Sequence, residues 1–338
     1  MGSKKQANSI NWKLWAGLIL SALFLYLAFR DVDFHKTGKI IVSSNIFYLV
    51  LAVSLCILQF FIRAWRWRIL LRPVKETGFI GRLLSVFIGF AANCLLPARL
   101  GEIVRANSLG QVEKFSKSSA FGTIVIERLF DGFAILFIFV IGLMFTAFPD
   151  ELSHASHTRR GTAILLFFSS LLLIALIKWL RSHTQFFINA INRMLFMFSD
   201  KLRLKISDII ENFVKGLSPL KSYSDWVKAI MWSALLWYIS LWQIYFIEMA
   251  VGIKLPFMAT FILQSMAALG VMVPFAPGYI GTFHELVKKG FLFYGISNEE
   301  ALSAAILLHG SFYFPTILLG CIAFIILQKE YGKIDVSE

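Results

Sequence analysis

Two short stretches of an otherwise apolar chain set charged side chains beside helix breakers. In "LLPARLGEIVR" (residues 95–105), Pro97 is followed by Arg99, Gly101, Glu102 and Arg105. In "FAPGYIGTFHELVK" (residues 275–288), Pro277 and Gly278 are followed by Gly281, His284, Glu285 and Lys288. A third stretch, "IVIERLFDG" (residues 124–132), carries Glu127, Arg128 and Asp131 just before a long uncharged run. Guanidinium groups grip phosphate with directed, charge-assisted bonds. A helix that restarts after a break points unpaired N–H groups and a positive dipole end outward, which also suits an anion. The carboxylates could bind a cationic group or carry coupling protons. Arg99 and Arg105, with Glu102, Glu127, Arg128, Asp131, His284 and Glu285, are therefore candidate substrate-binding residues. Pro97, Gly101, Pro277, Gly278 and Gly281 are candidate structural breaks.

The two breaks share a pattern: Pro, three residues, Gly, then a Glu with a base three residues further on. Pro ends or kinks a helix and Gly permits unusual backbone. Matched interrupted segments in the two halves of a membrane protein point to an inverted repeat with a site near the midplane. The plainer alternative is a pair of ordinary Pro-kinked helices with surface Glu–Lys pairs. For Glu127 and Asp131, which share a helix face, it is a packing ion pair with a base from 97–119.

The elements that must position these residues are membrane helices. Of the 338 residues, 58% are hydrophobic and 16% charged, too apolar a balance for a soluble core of this size. Uncharged apolar runs at 14–29, 43–62, 83–98, 132–148, 161–177, 229–247, 255–283 and 301–327 approach the roughly 20 residues a span requires. The fold class expected is an all-α polytopic membrane protein of about six to eight membrane segments. No cleavage site follows the first run, so it reads as a span and not as a signal peptide.

Basic residues concentrate in 63–82, 97–119 and 178–228, which the positive-inside rule places in the cytoplasm with both termini. The run 83–98 then lies between two inside segments and reads as a re-entrant hairpin, as does 255–283 from the opposite face. The expected organisation is one integral membrane domain over 1–338. It comprises a first inverted repeat at 43–147, a cytoplasmic amphipathic linker at 181–225 and a second repeat at 226–327. The linker's alternative is a self-packed cytoplasmic helical pair. The net charge of +13 is better matched to topology and anionic lipid head groups than to nucleic acid.

Other polar residues read more blandly. Arg63, Arg66 and Arg68, alternating with Trp65 and Trp67, look like an interface anchor. His309 and Glu248 look like packing residues. His154 and His157 have too few companions for a metal, and Cys56, Cys94 and Cys321 sit in apolar runs. No nucleotide-binding loop, dinucleotide fingerprint or nucleophile triad is legible, so no cofactor, no metal and no catalytic residue is expected.

At "LLPARLGEIVRA", "ERLFDG" and "PFAPGYIGTFHE" the chain resembles the flippase domain of lysylphosphatidylglycerol synthases, over roughly 12–327 and with the motifs in the family's order. The resemblance implies a polytopic helical domain that moves a lipid between leaflets of a bacterial or archaeal plasma membrane. Those synthases also carry a soluble aminoacyl-transfer domain, for which the chain beyond residue 327 is too short. The expected function is a lipid translocase, not an enzyme. Its cargo is a phospholipid or polyprenyl-phosphate-linked lipid, with a separate lipid-synthesising enzyme as a possible partner. The alternatives are a membrane-embedded enzyme acting on a lipid phosphate, with His284 or Glu285 as base, and a non-catalytic subunit recruiting a partner through 181–225.

Overall fold

The computed structural model describes residues 22–96, 99–146, 161, 222–272 and 277–331. Pro97, the 161–177 run apart from its first residue, the 181–225 linker up to residue 221, and His154 and His157 lie outside them. Every regular element among the described residues is a helix.

Helical residues 22–29 lead into α1 (Phe34–Val42), which lies between the apolar runs 14–29 and 43–62. Asp33 caps it, accepting from the backbone N–H groups of Lys36 and His35, and the Lys36 bond foremost holds the carboxyl below the usual carboxylate range. Asn45 caps α2 (Ile46–Leu71), whose 26 residues contain neither Gly nor Pro. At 1.5 Å per residue α2 is about 39 Å long, enough to cross ~30 Å of hydrocarbon. It therefore runs well past the boundary expected at residue 63. Arg63, Arg66 and Arg68 are helical, and Arg66 is fully buried. The physical reason is local neutralisation, since carboxylates from another helix meet Arg66.

α3 (Phe79–Leu95) has 17 residues, about 26 Å, and stops short of a full span. Leu96 is extended, as expected for a residue before proline. The chain then turns through Arg99, whose φ of 55° is left-handed, and restarts as α4 (Gly101–Val112). α5 (Lys117–Phe145), capped by Ser116, follows. The second half begins with α6 (Tyr223–Val251), capped by Ser222 and closed by Gly252. α7 (Ala259–Met272) is again short, 14 residues or about 21 Å. A 3-10 turn at Pro277–Tyr279 and Gly281 precede α8 (Thr282–Leu292), and α9 (Asn298–Tyr331) continues through Pro315. By length and composition, α2, α6 and α9 can cross a membrane, and α3 and α7 are shorter apolar helices.

Element order thus repeats: long helix, short helix, break, half-helix, long helix. Packing repeats with it. α2 lies along α6. α3 packs on α9 as α7 packs on α5, α3 on α4 as α7 on α8, and α4 on α5 as α8 on α9. Each half has its own apolar cluster, one around Phe60, Trp67, Phe87 and Ile124, the other around Ile244, Leu263, Phe283 and Phe291. Within each hairpin the legs come into backbone contact. A Cβ on Gly101 would sit 2.0 Å from the Gly89 carbonyl oxygen, and one on Gly270 would sit 2.7 Å from Phe283 Cα.

Candidate functional site

The buried charges of the first half converge on one turn of α5. Glu127 and Asp131, four residues apart, are 0% and 4% exposed. Arg66 from α2 bridges them, with Nη1 donating to Asp131 Oδ1 at 2.6 Å and Nη2 lying 3.2 Å from Glu127 Oε1. Arg66 Nη1 also donates to Ser233 Oγ on α6 at 3.0 Å. Arg105 from α4 takes Glu127 end-on, Nη1 and Nη2 each donating at 2.9 Å, and its guanidinium lies 3.8 Å from the centre of the Trp67 ring. Arg128 donates to Glu127 Oε1 at 2.7 Å and stands 3.3 Å from Asp131 Oδ2 and 3.4 Å from Glu102 Oε1. Trp237 Nε1 donates to Asp131 Oδ1 at 3.3 Å, tying the cluster to the second half.

Charges so deep are stable only when paired, because water is not there to solvate them. The pairing here is unequal. Arg66 and Arg105 spend their bonds on Glu127 and Asp131. Arg63 reaches Asp131 only at 3.9 Å and stacks on Phe90. Among the described residues, Arg63 Nη1, Arg99 Nε and Arg128 Nε are buried without a hydrogen-bond acceptor, as are Arg66 Nε and Nη2 and Arg105 Nε, and Asp131 Oδ2 is buried without a donor.

Arg63, Arg99 and Arg128 all line one cavity of about 350 Å³ between the two halves. Asp131 is the acid in its lining, so the wall carries three positive charges against one negative. The wider network gives the same excess: Arg63, Arg66, Arg99, Arg105 and Arg128 against Glu102, Glu127 and Asp131. Arg99 also reaches across the break, Nη2 donating to the Val271 carbonyl at the end of α7 at 2.9 Å. The lining also includes the uncharged polar side chains Gln59, Ser240, Gln243 and Gln264, among apolar and aromatic residues such as Tyr279 and Phe283.

The structure therefore brings Arg99, Glu102, Arg105, Glu127, Arg128 and Asp131 together and sets His284 and Glu285 apart. Glu285 pairs with exposed Lys289 at 3.1 Å, and Lys288 instead donates to the Ala28 carbonyl at 2.9 Å. His284 packs its ring 4.7 Å from that of His309, which bonds the Gly278 carbonyl at 2.9 Å. Neither Arg105 nor Glu285 is among the described residues lining this cavity. Gly278 and Gly281 have φ of 61° and 91°, so the second break uses the freedom glycine provides. Sequence reasoning missed Arg63 and Arg66 as members of the cluster. Their i, i+3 spacing within an apolar helix was the available signal. Among the described residues, no group of three or more His, Cys, Asp or Glu is placed to hold a metal.

The family model for the lysylphosphatidylglycerol synthase transmembrane region matches residues 14–320. The chain is 24% identical to a UPF0104 membrane protein of Methanocaldococcus jannaschii, covering 94% of this chain and 95% of that one. It is 26% identical to a UPF0104 membrane protein of Pyrococcus horikoshii, covering 95% and 97%. It is 21% identical to the glycosyltransferase AglD of Haloferax volcanii, covering 87% of this chain but 51% of the relative.

Proposed function

The chain belongs to the family of lysylphosphatidylglycerol synthase transmembrane regions and is an integral membrane protein, and from that premise we propose that it is a lipid translocase. It moves a phosphate-bearing lipid between leaflets and makes or breaks no bond in it. The observation that carries this reading is the cavity between the halves, with its excess of two positive charges and its buried guanidinium donors lacking acceptors. A phosphate supplies the acceptors those donors lack. Arg63, Arg99 and Arg128 hold it. Glu127 and Asp131 act as positioning residues, fixing the guanidinium groups and keeping the network from an unsupportable charge.

The repeat supports the transport step. Helices α2 to α5 and α6 to α9 exchange packing partners pairwise, as expected for two units related by a two-fold axis in the membrane plane. The two hairpins then dip from opposite faces, with both termini cytoplasmic, and their tips meet where Arg99 bonds the Val271 carbonyl. Rocking of one repeat against the other opens the cavity to each leaflet in turn.

The test is transport of acyl-labelled phospholipids by purified protein in vesicles, read by chemical quenching of the outer leaflet. Wild-type protein is expected to accelerate exchange. Arg99→Gln and Arg63→Gln are expected to slow it at least tenfold while eluting as monodisperse protein. Wild-type rates in both variants would remove the cavity from the mechanism.

A further inference from the structure

The second half holds a buried acid away from the cavity, Glu248, in the last turn of α6. We infer that Glu248 is a proton-binding site, filled in this packed arrangement and emptied when the molecule opens at the membrane face where α6 ends. Resting on the translocase reading, the site couples lipid exchange to the proton concentration at that face, the outer one in the proposed topology.

The surroundings of the side chain carry the inference. Glu248 is 0% exposed, and both carboxyl oxygens are buried without a hydrogen-bond partner among the described residues. Its buried polar neighbours in the second half are satisfied. Gln243 donates to Ser311, Gln264 accepts from Ser240, Thr282 donates to the Gly270 carbonyl and His309 bonds the Gly278 carbonyl. Polar side chains that serve packing at membrane depth make such bonds between elements. Glu248 makes none, so packing does not account for an acid there.

Ionisation in place is opposed twice. Of the helices packed on α6, neither α2, α5, α7 nor α9 brings a charge to bear on Glu248 among the described residues. The residue also stands three positions before Val251, the last of α6, where the helix dipole is negative. A lone carboxylate is not sustained in such a place, and the group holds a proton instead. The titratable group facing it is Tyr294, in the turn between α8 and α9, whose buried hydroxyl is near enough to feel the Glu248 charge. Thr146, beside Tyr294, spends its own hydroxyl proton on the Met258 carbonyl at 3.1 Å. A metal ion needs several oxygen ligands at once, whereas one carboxyl suffices for a proton.

The way out is short. Three residues of helix are about 4.5 Å, and Gly252 and Gly295, which border the site in sequence, are exposed. The step is a proton transfer. The carboxyl O–H bond breaks, the proton passes to water admitted as the turn at Tyr294 parts from α6, and that water solvates the carboxylate left behind. No bond in the lipid changes. The packed form holds the proton more tightly than the open one, so acid favours closure and alkali favours opening.

The test uses the full-length protein and reads the proton separately from transport. Difference infrared spectroscopy of purified protein is expected to show the C=O stretch of a protonated carboxyl at neutral pH, and Glu248→Gln is expected to remove it. A band that is absent from wild type, or unchanged in the folded variant, overturns the inference. Should Glu248→Gln fail to fold, carbodiimide labelling of wild type, which modifies protonated carboxyls, is read by mass spectrometry in its place, and no adduct at Glu248 overturns the inference. In vesicles, wild-type lipid exchange is expected to rise at least fivefold from acid to alkaline pH. Glu248→Gln, which mimics the protonated form, is expected to stay at the acid rate throughout. The same pH profile in both proteins overturns the coupling, as does a wild-type rate that follows sodium at fixed pH. The infrared band without any lipid exchange leaves the proton site standing and removes the translocase.

Discussion

The first hairpin and the second share a backbone plan but not a chemistry. Both place a left-handed residue two positions after the proline, Arg99 with φ 55° and Tyr279 with φ 60°, and both of these side chains line the cavity. That correspondence sets the register of the halves. In it, Arg105 falls opposite Glu285, four residues after Gly101 and Gly281 respectively. The mate of Glu285 is therefore an arginine and not Glu102. Around Arg105 the first half builds an ion cluster with Glu127, Asp131, Arg66 and Arg128. Around the second break stand rings: His284, His309, Phe283 and Phe312. Even the matched glycines do different jobs. Gly281 holds a φ of 91° that side chains resist, whereas Gly101 lacks a side chain because Gly89's carbonyl occupies the space. The shared element order fixes where the backbone goes. What each break does there is decided by substitution, and here one half took the charge.

Removing charge from the first half should have the largest effect. Glu127→Gln leaves Arg66 and Arg105 buried with too little countercharge, at a cost of about 3–5 kcal/mol. His309→Phe in the second half loses one bond to the Gly278 carbonyl, about 1–2 kcal/mol. Thermal unfolding of the two purified variants measures the contrast. Equal losses would mean the ion cluster is not what locks the first half. Next come the glycines. Gly101→Ala forces the legs of the first hairpin apart and should cost about 2–3 kcal/mol, against about 1–2 kcal/mol of backbone strain for Gly281→Ala. A reversed order would assign the strain to the other break.

Arg99→Gly separates stability from function. It relieves a left-handed backbone and loses one bond to the Val271 carbonyl, two effects of about 1 kcal/mol and opposite sign. Stability should barely change while lipid exchange in vesicles falls at least tenfold. Glu285→Gln should do least. Its carboxylate is buried but its partner Lys289 is largely exposed, so replacing it by the neutral amide should cost about 1 kcal/mol, and exchange should stay within about twofold of wild type. A tenfold loss at Glu285 would place chemistry in the second half after all.

Much of this was legible in the chain. Helices end at Leu95 and Met272 and restart at Gly101 and Thr282, around the two Pro-Gly stretches, and Glu127 and Asp131 share a helix face. The family read from the three motifs is the one whose model matches residues 14–320. Two features were not legible, for one reason. Arg63 and Arg66 looked like an interface anchor because a single sequence counts charge along the chain. Whether a guanidinium at position 66 lies in water or against Glu127 depends on which helix comes to face it. Glu285 ends a long uncharged stretch and is buried, but its ion pair is with the largely exposed Lys289 and not with the arginine cluster, which the sequence alone does not show. The buried amides escaped notice because glutamines 59, 243 and 264 are scattered singly through apolar runs and meet their partners only on folding.

The contact between Gly89 and Gly101 has a mechanical consequence. Two legs that touch backbone to backbone have no side chains between them to slide or repack, so the first hairpin resists shear along its length. Gly270 against Phe283 gives the second the same stiffness. A load applied at one tip is then carried along the whole hairpin to its base. The compliance of this molecule lies between the hairpins and not inside them; among the described residues, one arginine-to-carbonyl hydrogen bond spans the joint.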